Sequence, residues 1–352
     1  MALATAFQAE VTVRGGGVFG LCCAYELARR GTRVRLIETT RLGAGASGGN
    51  VGALAPHVPE LWNPKKQFQL ESLLMAPAFW AGVAANGGQD AGYAQTGRIQ
   101  PIADAQAVAR AKARTGGAVT LWQGKAVWRV APVEEFGVLA PASPTGLLVH
   151  DTLSARANPR RALAALAAAL VALGGQIVIG DAADQGAVIW AAGVQGLATL
   201  GAGLGCMVGG GVKGQSALLA YDAGPVPQIF ADGLLIVPQA DGTVAIGSTS
   251  ERYYADPTST DAQLDDLISR ARALCPVLGD APVLDRWAGV RPRAKTRAPM
   301  LGAWPGRPGH FIVNGGFKIG FGMAPKVAVT MADLVLHGED TIPDGFRVAD
   351  NL

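Results

Sequence analysis

Three glycines, Gly15, Gly17 and Gly20, stand in the stretch VTVRGGGVFGLCCAYELARRGTRVRLIE, residues 11–38. Their Gly-x-Gly-x-x-Gly spacing suits one task, which is laying a dinucleotide pyrophosphate on a helix N-terminus. Gly15 permits the tight turn out of a strand, Gly17 lets the backbone approach the phosphates, and Gly20 lets helix and strand pack closely. Glu38 closes the following strand, where a carboxylate accepts hydrogen bonds from ribose hydroxyls. The glycines alone are a weak signal. Strand, turn, helix, strand and terminal acid together predict a dinucleotide fold and leave NAD and FAD both open. Arg14 occupies a strand-end position that is normally apolar, which a surface-directed or ion-paired side chain would satisfy.

The next segment, TTRLGAGASGGNVGALAPH, residues 39–57, is too rich in glycine and small residues for an ordinary loop. Such a backbone can wrap closely around a flat, bulky group, whereas an NAD dehydrogenase would be expected to continue with a plain helix. Other chemistry-bearing patterns are missing. There is no Ser/His/Asp arrangement and no obvious pair of carboxylates. The four cysteines, Cys22, Cys23, Cys206 and Cys275, form no CxxC and read as small core residues. The four histidines, His57, His150, His310 and His337, are scattered without metal-ligand spacing, so no metal is expected.

The elements that must position these residues follow from periodicity. EVTVR and RVRLIE read as strands around a helix from Gly20 to Arg30, closed by Gly31. NPKKQFQLESLLMAPAFWAGVAANGG reads as mostly helical. From about 97 to 150 the pattern is short and β-like, with GRIQPIA, AVWRV and GLLVH. A helix over 158–173 opens with Asn158 as N-cap and Pro159 in its first turn, and the strands QIVIG and AVIWAAG follow it. SALLAY, LLIVPQ and TVAIGSTS suggest antiparallel sheet, and TDAQLDDLISRARALC another helix. HFIVNGG is a strand, and a helix runs from about 325 to 337. Alternation of α/β with β-rich stretches, twice, predicts two discontinuous domains.

The 352 residues are 49% apolar and 16% charged, enough for a sizeable core and unlike a disordered chain. The net charge of +3 is small and mixed along the chain, which gives nucleic-acid binding no support. The N-terminus lacks a basic n-region, so no signal peptide is read. The most apolar run, residues 161–180, breaks at Gly174-Gly175, short of the ~20 residues of a membrane span. A cytoplasmic protein without an integral membrane segment is the expectation.

The chain resembles the D-amino acid oxidase, glycine oxidase and sarcosine oxidase family of FAD-dependent amine-oxidising enzymes. The FAD fingerprint is VRGGGVFG…VRLIE, and GASGGNVGALAP resembles the second flavin-contact segment. VIWAAGVQG is similar to the family's V-x-A-x-G strand end, KGQSALL to its G-Q crossover, and VAIGSTSE to its i-G-x-T-x-E. WAGVRPRAKTRAPMLG resembles G-x-R-P…P-x-i-G, and NGGFKIGFGMAP resembles the terminal G-H-x-x-x-G…a-P.

The resemblance implies a glutathione-reductase-like α/β flavoprotein. A Rossmann-like FAD-binding domain with a parallel sheet would take 1–75, 146–211 and 288–352. An antiparallel substrate domain would take 76–145 and 212–287. FAD, held without a covalent bond, would contact Gly15, Gly17, Val18, Phe19, Gly20, Glu38 and Thr39 on its adenine side. Ala46, Ser47, Asn50, Val51 and Gly52 follow from the second segment, Ile177 and Val178 from the adenine-contacting strand, and Ala192 and Gly193 from the V-x-A-x-G. Gly315, Gly316, Phe317, Lys318 and Ile319, with Arg291, would lie at the flavin. Arg291 matches the arginine that binds the substrate carboxylate in amino-acid-oxidising relatives, unless it serves a structural ion pair. Lys318 matches a basic position that supports the carboxylate or the flavin's polar edge, with a solvated turn lysine as the alternative. Tyr254, after Tyr253, follows the i-G-x-T segment where some relatives place a substrate-contacting tyrosine or a lid, and an ordinary surface turn fits equally. His57 follows the second flavin segment, as a pocket residue or a packing histidine.

Three departures stand beside the resemblance. The family's G-H is Gly315-Gly316 here, and Arg297 replaces an acid, which makes the neighbourhood more positive. The connection between QIVIG and AVIWAAG is too short for the usual β-meander, so the FAD domain is expected to be trimmed. The implied reaction is oxidation of the C–N bond of a D-amino acid, glycine or N-substituted glycine by hydride transfer to flavin N5, giving an imine that hydrolyses. O2 or another electron acceptor would take the electrons. The alternatives are a dehydrogenase serving a quinone or carrier, and a non-catalytic FAD-binding subunit.

Overall fold

Valine and isoleucine runs on either side of a glycine turn set the first parallel strands, and the chain then crosses repeatedly between two sheets. The computed structural model describes residues 7–352. Strand β1 (Val11–Arg14), helix α1 (Val18–Arg29) and strand β2 (Val34–Glu38) form the first unit. A two-residue strand β3 (Ala53–Leu54) leads to α2 (Pro64–Gly87), whose N-terminus Asn63 caps by accepting from the Lys66 N–H at 3.1 Å. Next come β4 (Arg98–Pro101), α3 (Ala105–Leu121), β5 (Trp128–Pro132), β6 (Leu147–Asp151) and β7 (Ala155–Arg156). Then α4 (Pro159–Ala172), β8 (Gln176–Ile179), β9 (Ala187–Trp190) and α5 (Gly193–Leu204) return to the first sheet. Strands β10 (Gly209–Ala220), β11 (Gln228–Ala231), β12 (Leu234–Pro238) and β13 (Thr243–Gly247) precede α6 (Ala262–Leu274) and β14 (Val283–Ala294). The chain ends with β15 (Met300–Ala303), β16 (His310–Asn314) and α7 (Gly320–His337).

Six strands form one sheet in the order β15-β16-β9-β1-β2-β8, parallel except for the β15–β16 pair. Helix α1 packs against α4 and α7, and α2 crosses both. Eight strands form the other sheet, β14-β10-β13-β12-β11-β4-β6-β5, antiparallel except for β11 beside β4. Helix α6 covers β10, β12 and β13, burying Leu264, Leu267 and Ile268 against Ile236 and Ile246. No helix of the described residues is long and apolar enough to cross a membrane.

Three differences from the sequence expectation have physical causes. Helix α3 lies within the stretch that reads as β-like. Asp104 caps it, accepting from the Ala107 N–H at 2.7 Å, and Trp128 on β5 donates its indole N–H to the Ala111 carbonyl at 3.0 Å. Its Gly116-Gly117 pair looks like a break. Yet a β-carbon at Gly117 would lie 2.6 Å from the Pro59 carbonyl oxygen, so the glycine serves close packing. Helix α5 is glycine-rich and unannounced by pattern; Gly205, at φ 68°, ends it in the left-handed conformation. Helix α7 begins at Gly320 and carries Pro325 inside it rather than starting there.

The short connection over 180–186 contains no strand. It also accounts for Arg14. That side chain donates to Asp184 at 2.6 Å and to the Ala182 carbonyl at 2.9 Å, and its guanidinium lies 5.3 Å from the ring centre of Trp190, its register partner on β9. Arg307 stacks on the same indole at 5.5 Å. Cations on aromatics and a short acidic loop thus cover this sheet face.

Candidate active site

Gly15, at φ 114°, turns the chain from β1 into α1; a β-carbon there would lie 2.5 Å from the Ala191 carbonyl oxygen. A β-carbon at Gly20 would overlap the Gly15 carbonyl. Gly17 is the extended N-cap of α1 and offers no side-chain cap. Ser47 Oγ accepts from the Val18 N–H at 3.0 Å, while the N–H groups of Phe19 and Gly20 have no acceptor among the described residues. Open donors at a helix N-terminus favour an anion. Glu38 flanks this end, accepting from the Gly16 N–H at 2.7 Å and from the Thr40 N–H at 3.1 Å, with the Thr39 hydroxyl at 3.3 Å. Ile177 and Val178 on β8 pair with Leu36 and Ile37 beside it. Ala192 and Gly193 open α5 against Gly15, and the Gly193 carbonyl accepts from Asn314 Nδ2 at 2.8 Å.

The small residues after Glu38 serve partly to pack the chain on itself. β-Carbons at Gly48 and Gly52 would overlap the carbonyls of Gly43 and Ala157. Ala46 and Ser47 belong to a short 3-10 turn below α1. Asn50 is buried; its carbonyl accepts from Gln239 Nε2 of the second sheet at 3.0 Å, and its own Nδ2 has no partner. Val51 packs on Gly247 at the end of β13. The segment therefore runs between the two sheets.

Residues 314–320 meet it from the other side. Gly315 sits at φ 74°, and a β-carbon at Gly316 would lie 2.8 Å from the Phe19 ring. A side chain at residue 316 has no room while Phe19 stands where it does. Phe317, at φ 44°, donates its N–H to the Pro292 carbonyl at 3.0 Å, which hangs the turn on β14. Ile319 opens α7 without a side-chain cap, and Gly320 faces Val18.

Arg291 leaves β14 on the side of Gly214, its guanidinium lying where any β-carbon of residue 214 would be. It makes one hydrogen bond, from Nη1 to the Thr249 carbonyl at 3.2 Å. Burial pushes the guanidinium down to about 10, opposed by the charge of Glu251. Lys318 is held below its usual range by desolvation and then by the Arg291 charge. Lys318 lines a cavity of about 570 Å³ together with Ser248, Thr249, Ser250, Gly233, Asp232, Gln263, Asp266 and Arg270.

The bond from Phe317 to Pro292 sets the turn of Lys318 against the strand of Arg291, although Arg291 does not line that cavity, and the two other candidates stand apart. The Tyr254 hydroxyl lies over Gly211, beside Val290 and Val194, and Tyr253 is 93% exposed. Gln69 of α2 takes both the backbone N–H and Nδ1 of His57, and burial pushes that imidazole below its ordinary value.

Pattern reading missed the network that carries Thr249. Gln215 donates its N–H to Thr249 Oγ1 at 2.8 Å and its Nε2 to Glu251 at 3.1 Å and to Asp261 at 2.9 Å. Glu251 pairs with the buried Lys213 at 3.7 Å. A lysine and a glutamine two residues apart in a β-rich stretch were the available signal.

The model of the FAD dependent oxidoreductase family, DAO, matches residues 10–334. The chain belongs to that family. The oxidoreductase is 30% identical to a glycine oxidase of Pseudomonas aeruginosa over 95% of its own length and 96% of the relative's. A glycine oxidase of Geobacillus kaustophilus is 28% identical over 94% and 93%. The crystal structure of glycine oxidase from Geobacillus kaustophilus superposes with a TM-score of 0.84 at 24% identity, covering 97% of this chain and 99% of that one. The cofactor is FAD, and the residues present fit it: unpartnered N–H groups open α1 for a pyrophosphate, and the orphaned Asn50 Nδ2 awaits an acceptor. The chain is an FAD-dependent amine or amino acid oxidoreductase.

Proposed function

We propose that the oxidoreductase acts on the C–N bond of a small amino acid or N-substituted glycine, anchored by its carboxylate on Arg291. The observation that carries this reading is the state of Arg291. It is half-buried, spends one donor on Thr249 and has no carboxylate partner among the described residues. A planar fork of this kind is suited to two parallel hydrogen bonds with a substrate carboxylate. Glycine at 214 leaves it room, and the Thr249 carbonyl fixes its orientation.

FAD, when bound, supplies the acceptor for the two electrons and the hydrogen that leave the carbon beside nitrogen. The chain's own contribution is positioning. Arg291 sets the distance of the α-carbon from the site, and Lys318 adds positive potential at the cavity wall. No residue of the cavity needs to act as a strong base, provided the amine arrives uncharged. Water then converts the imine to a carbonyl compound and an amine or ammonia. On this reading residues 1–75, 146–211 and 288–352 hold FAD and 76–145 with 212–287 cover the substrate, except that β6 and all of β14, which pair within the eight-stranded sheet, go with the covering part. The FAD contacts assigned are those at the N-termini of α1 and α5, the 46–52 segment and residues 315–319. Tyr254 and His57 are given no chemical step.

The test is anaerobic titration of the purified holoprotein with glycine, sarcosine, proline and D-amino acids, following flavin absorbance. At least one should bleach it, and Arg291→Leu should raise the KM for that substrate by about 100-fold, the loss of a charged two-point contact. Peroxide released in air then tests O2 as acceptor against an artificial dye. Absence of bleaching with every amine sinks the reading.

A further inference from the structure

Leu61 is the most exposed large aliphatic side chain among the described residues, at 87%, and it stands at φ 44°, a conformation that costs any residue but glycine. Its neighbours hold it there. The Glu60 carboxylate takes Arg114 Nε of α3 at 2.8 Å and Nη2 at 2.6 Å, and the Pro59 carbonyl is seated against Gly117. On the other flank Lys66 Nζ of α2 donates to the Val58 carbonyl at 3.3 Å and to that of Glu60, and the Trp62 indole N–H donates to Gln67 at 2.9 Å. A leucine fixed outward by a loop clamped on both sides adds nothing to its own core.

The charge around it is one-sided. Residues 57–66 and 104–125, which meet here, hold six lysines and arginines against two acids, an excess of four where the whole chain has an excess of three. Of the two acids, Glu60 is spent on Arg114 and Asp104 on capping α3. Arg110, one turn before Arg114 on the same side of α3, is exposed and has no carboxylate at ion-pair distance among the described residues. Lys65 Nζ donates to the Arg297 carbonyl at 2.7 Å, which brings a second exposed arginine alongside. The turn of Arg297 backs in its turn on Gly315, whose β-carbon would lie 2.7 Å from the Ala294 side chain, so this face borders the 314–320 turn.

We propose that this face docks on an anionic membrane surface, Leu61 entering the acyl boundary while Arg110, Arg297 and Lys65 meet the headgroups. Long cationic side chains around one fixed apolar tip suit shallow insertion, because each stem lies along the apolar boundary while its charge stays in the headgroup layer. A protein partner would call for an apolar centre wider than one leucine beside the half-buried Trp62. The proposal stands apart from the amine-oxidising reading and uses none of the residues assigned to it.

Cosedimentation of the holoprotein with vesicles tests it, phosphatidylcholine alone against phosphatidylcholine mixed equally with phosphatidylglycerol. The holoprotein should bind the anionic vesicles, come off them as salt is raised, and ignore the neutral ones. Arg110→Glu should weaken binding by about tenfold, and Leu61→Gly by about fivefold. Glycine accepts φ 44° without strain, so a loss in that variant is not a loss of folding, and unchanged flavin absorbance checks this for both. Equal binding to neutral and anionic vesicles overturns the proposal, as does anionic binding that neither substitution weakens. Polyglutamate is the competing probe. If it binds with the same dependence on Arg110 while no vesicle does, the face takes an acidic protein and the lipid proposal is wrong. Binding to neither probe overturns it as well.

Discussion

At Gly316 a missing side chain has a steric cause, and the cause is testable. Its β-carbon position lies 2.8 Å from the Phe19 ring, inside the first turn of α1. Gly316→Ala should therefore cost about 1–3 kcal/mol of stability through overpacking, read as a lower midpoint in chemical unfolding. Pairing it with Phe19→Leu should recover much of the loss; a fully additive double variant would sink the steric account. The sequence already marked this position as a departure, because glycine replaced a histidine, but it could not name Phe19. The fingerprint glycines were legible for the same reason that Gly316 was not. Gly15 and Gly20 meet backbone from their own strand–turn–helix unit or the strand alongside, whereas Gly316 meets a ring nearly 300 positions away in sequence. Arg14 was visible only as an anomaly, since its partners Asp184 and Trp190 lie across the sheet.

Among the elements, the stretch from Thr249 to Glu251 matters beyond its length. It continues β13 along β10, exchanging backbone hydrogen bonds of 2.9 Å between Lys213 and Glu251. The carboxylate of Glu251 receives Gln215 and the Thr249 hydroxyl, and it compensates the buried Lys213. Glu251→Gln leaves that lysine without its counter-charge and should destabilise the protein by about 3–5 kcal/mol, measured by urea unfolding. Replacing Lys213 by Met in the same chain should return most of that stability. If the double variant is no better than Glu251→Gln, the pair is not what holds the segment. Local pattern could find the helices with caps and stripes, such as α4 and α6, because 3.6-residue spacing is written within each. It misread α3, whose apolar side is mostly alanine and whose partners Trp128 and Pro59 lie outside the helix. A network such as Lys213, Gln215, Glu251 and Asp261 has no periodicity to reveal it.

For the whole molecule the decisive feature is where the two sheets meet. Three helix N-termini, those of α1, α5 and α7, open toward one another around Gly15, Ala192 and Ile319. The 46–52 segment reaches from beneath α1 to Gln239 and Gly247 of the second sheet. A ligand seated there touches both layers, and its binding free energy adds to the stability of the junction rather than of either sheet alone. Removal of FAD should therefore loosen the molecule unevenly. Hydrogen exchange of the Phe19 and Gly20 amides, which have no protein acceptor, should quicken sharply, as should exchange across 46–52 and 314–320. The far edge of the second sheet, β5 laddered on β6, and the buried face of α6 are held by protein partners rather than by the cofactor and should change little. A uniform acceleration over both sheets would mean that the cofactor holds the entire fold together. No acceleration at α1 and 314–320 would mean that FAD sits elsewhere. The unequal response is expected because the cofactor supplies the missing acceptors at the junction, while the strand ladders and the α6 face already have protein partners.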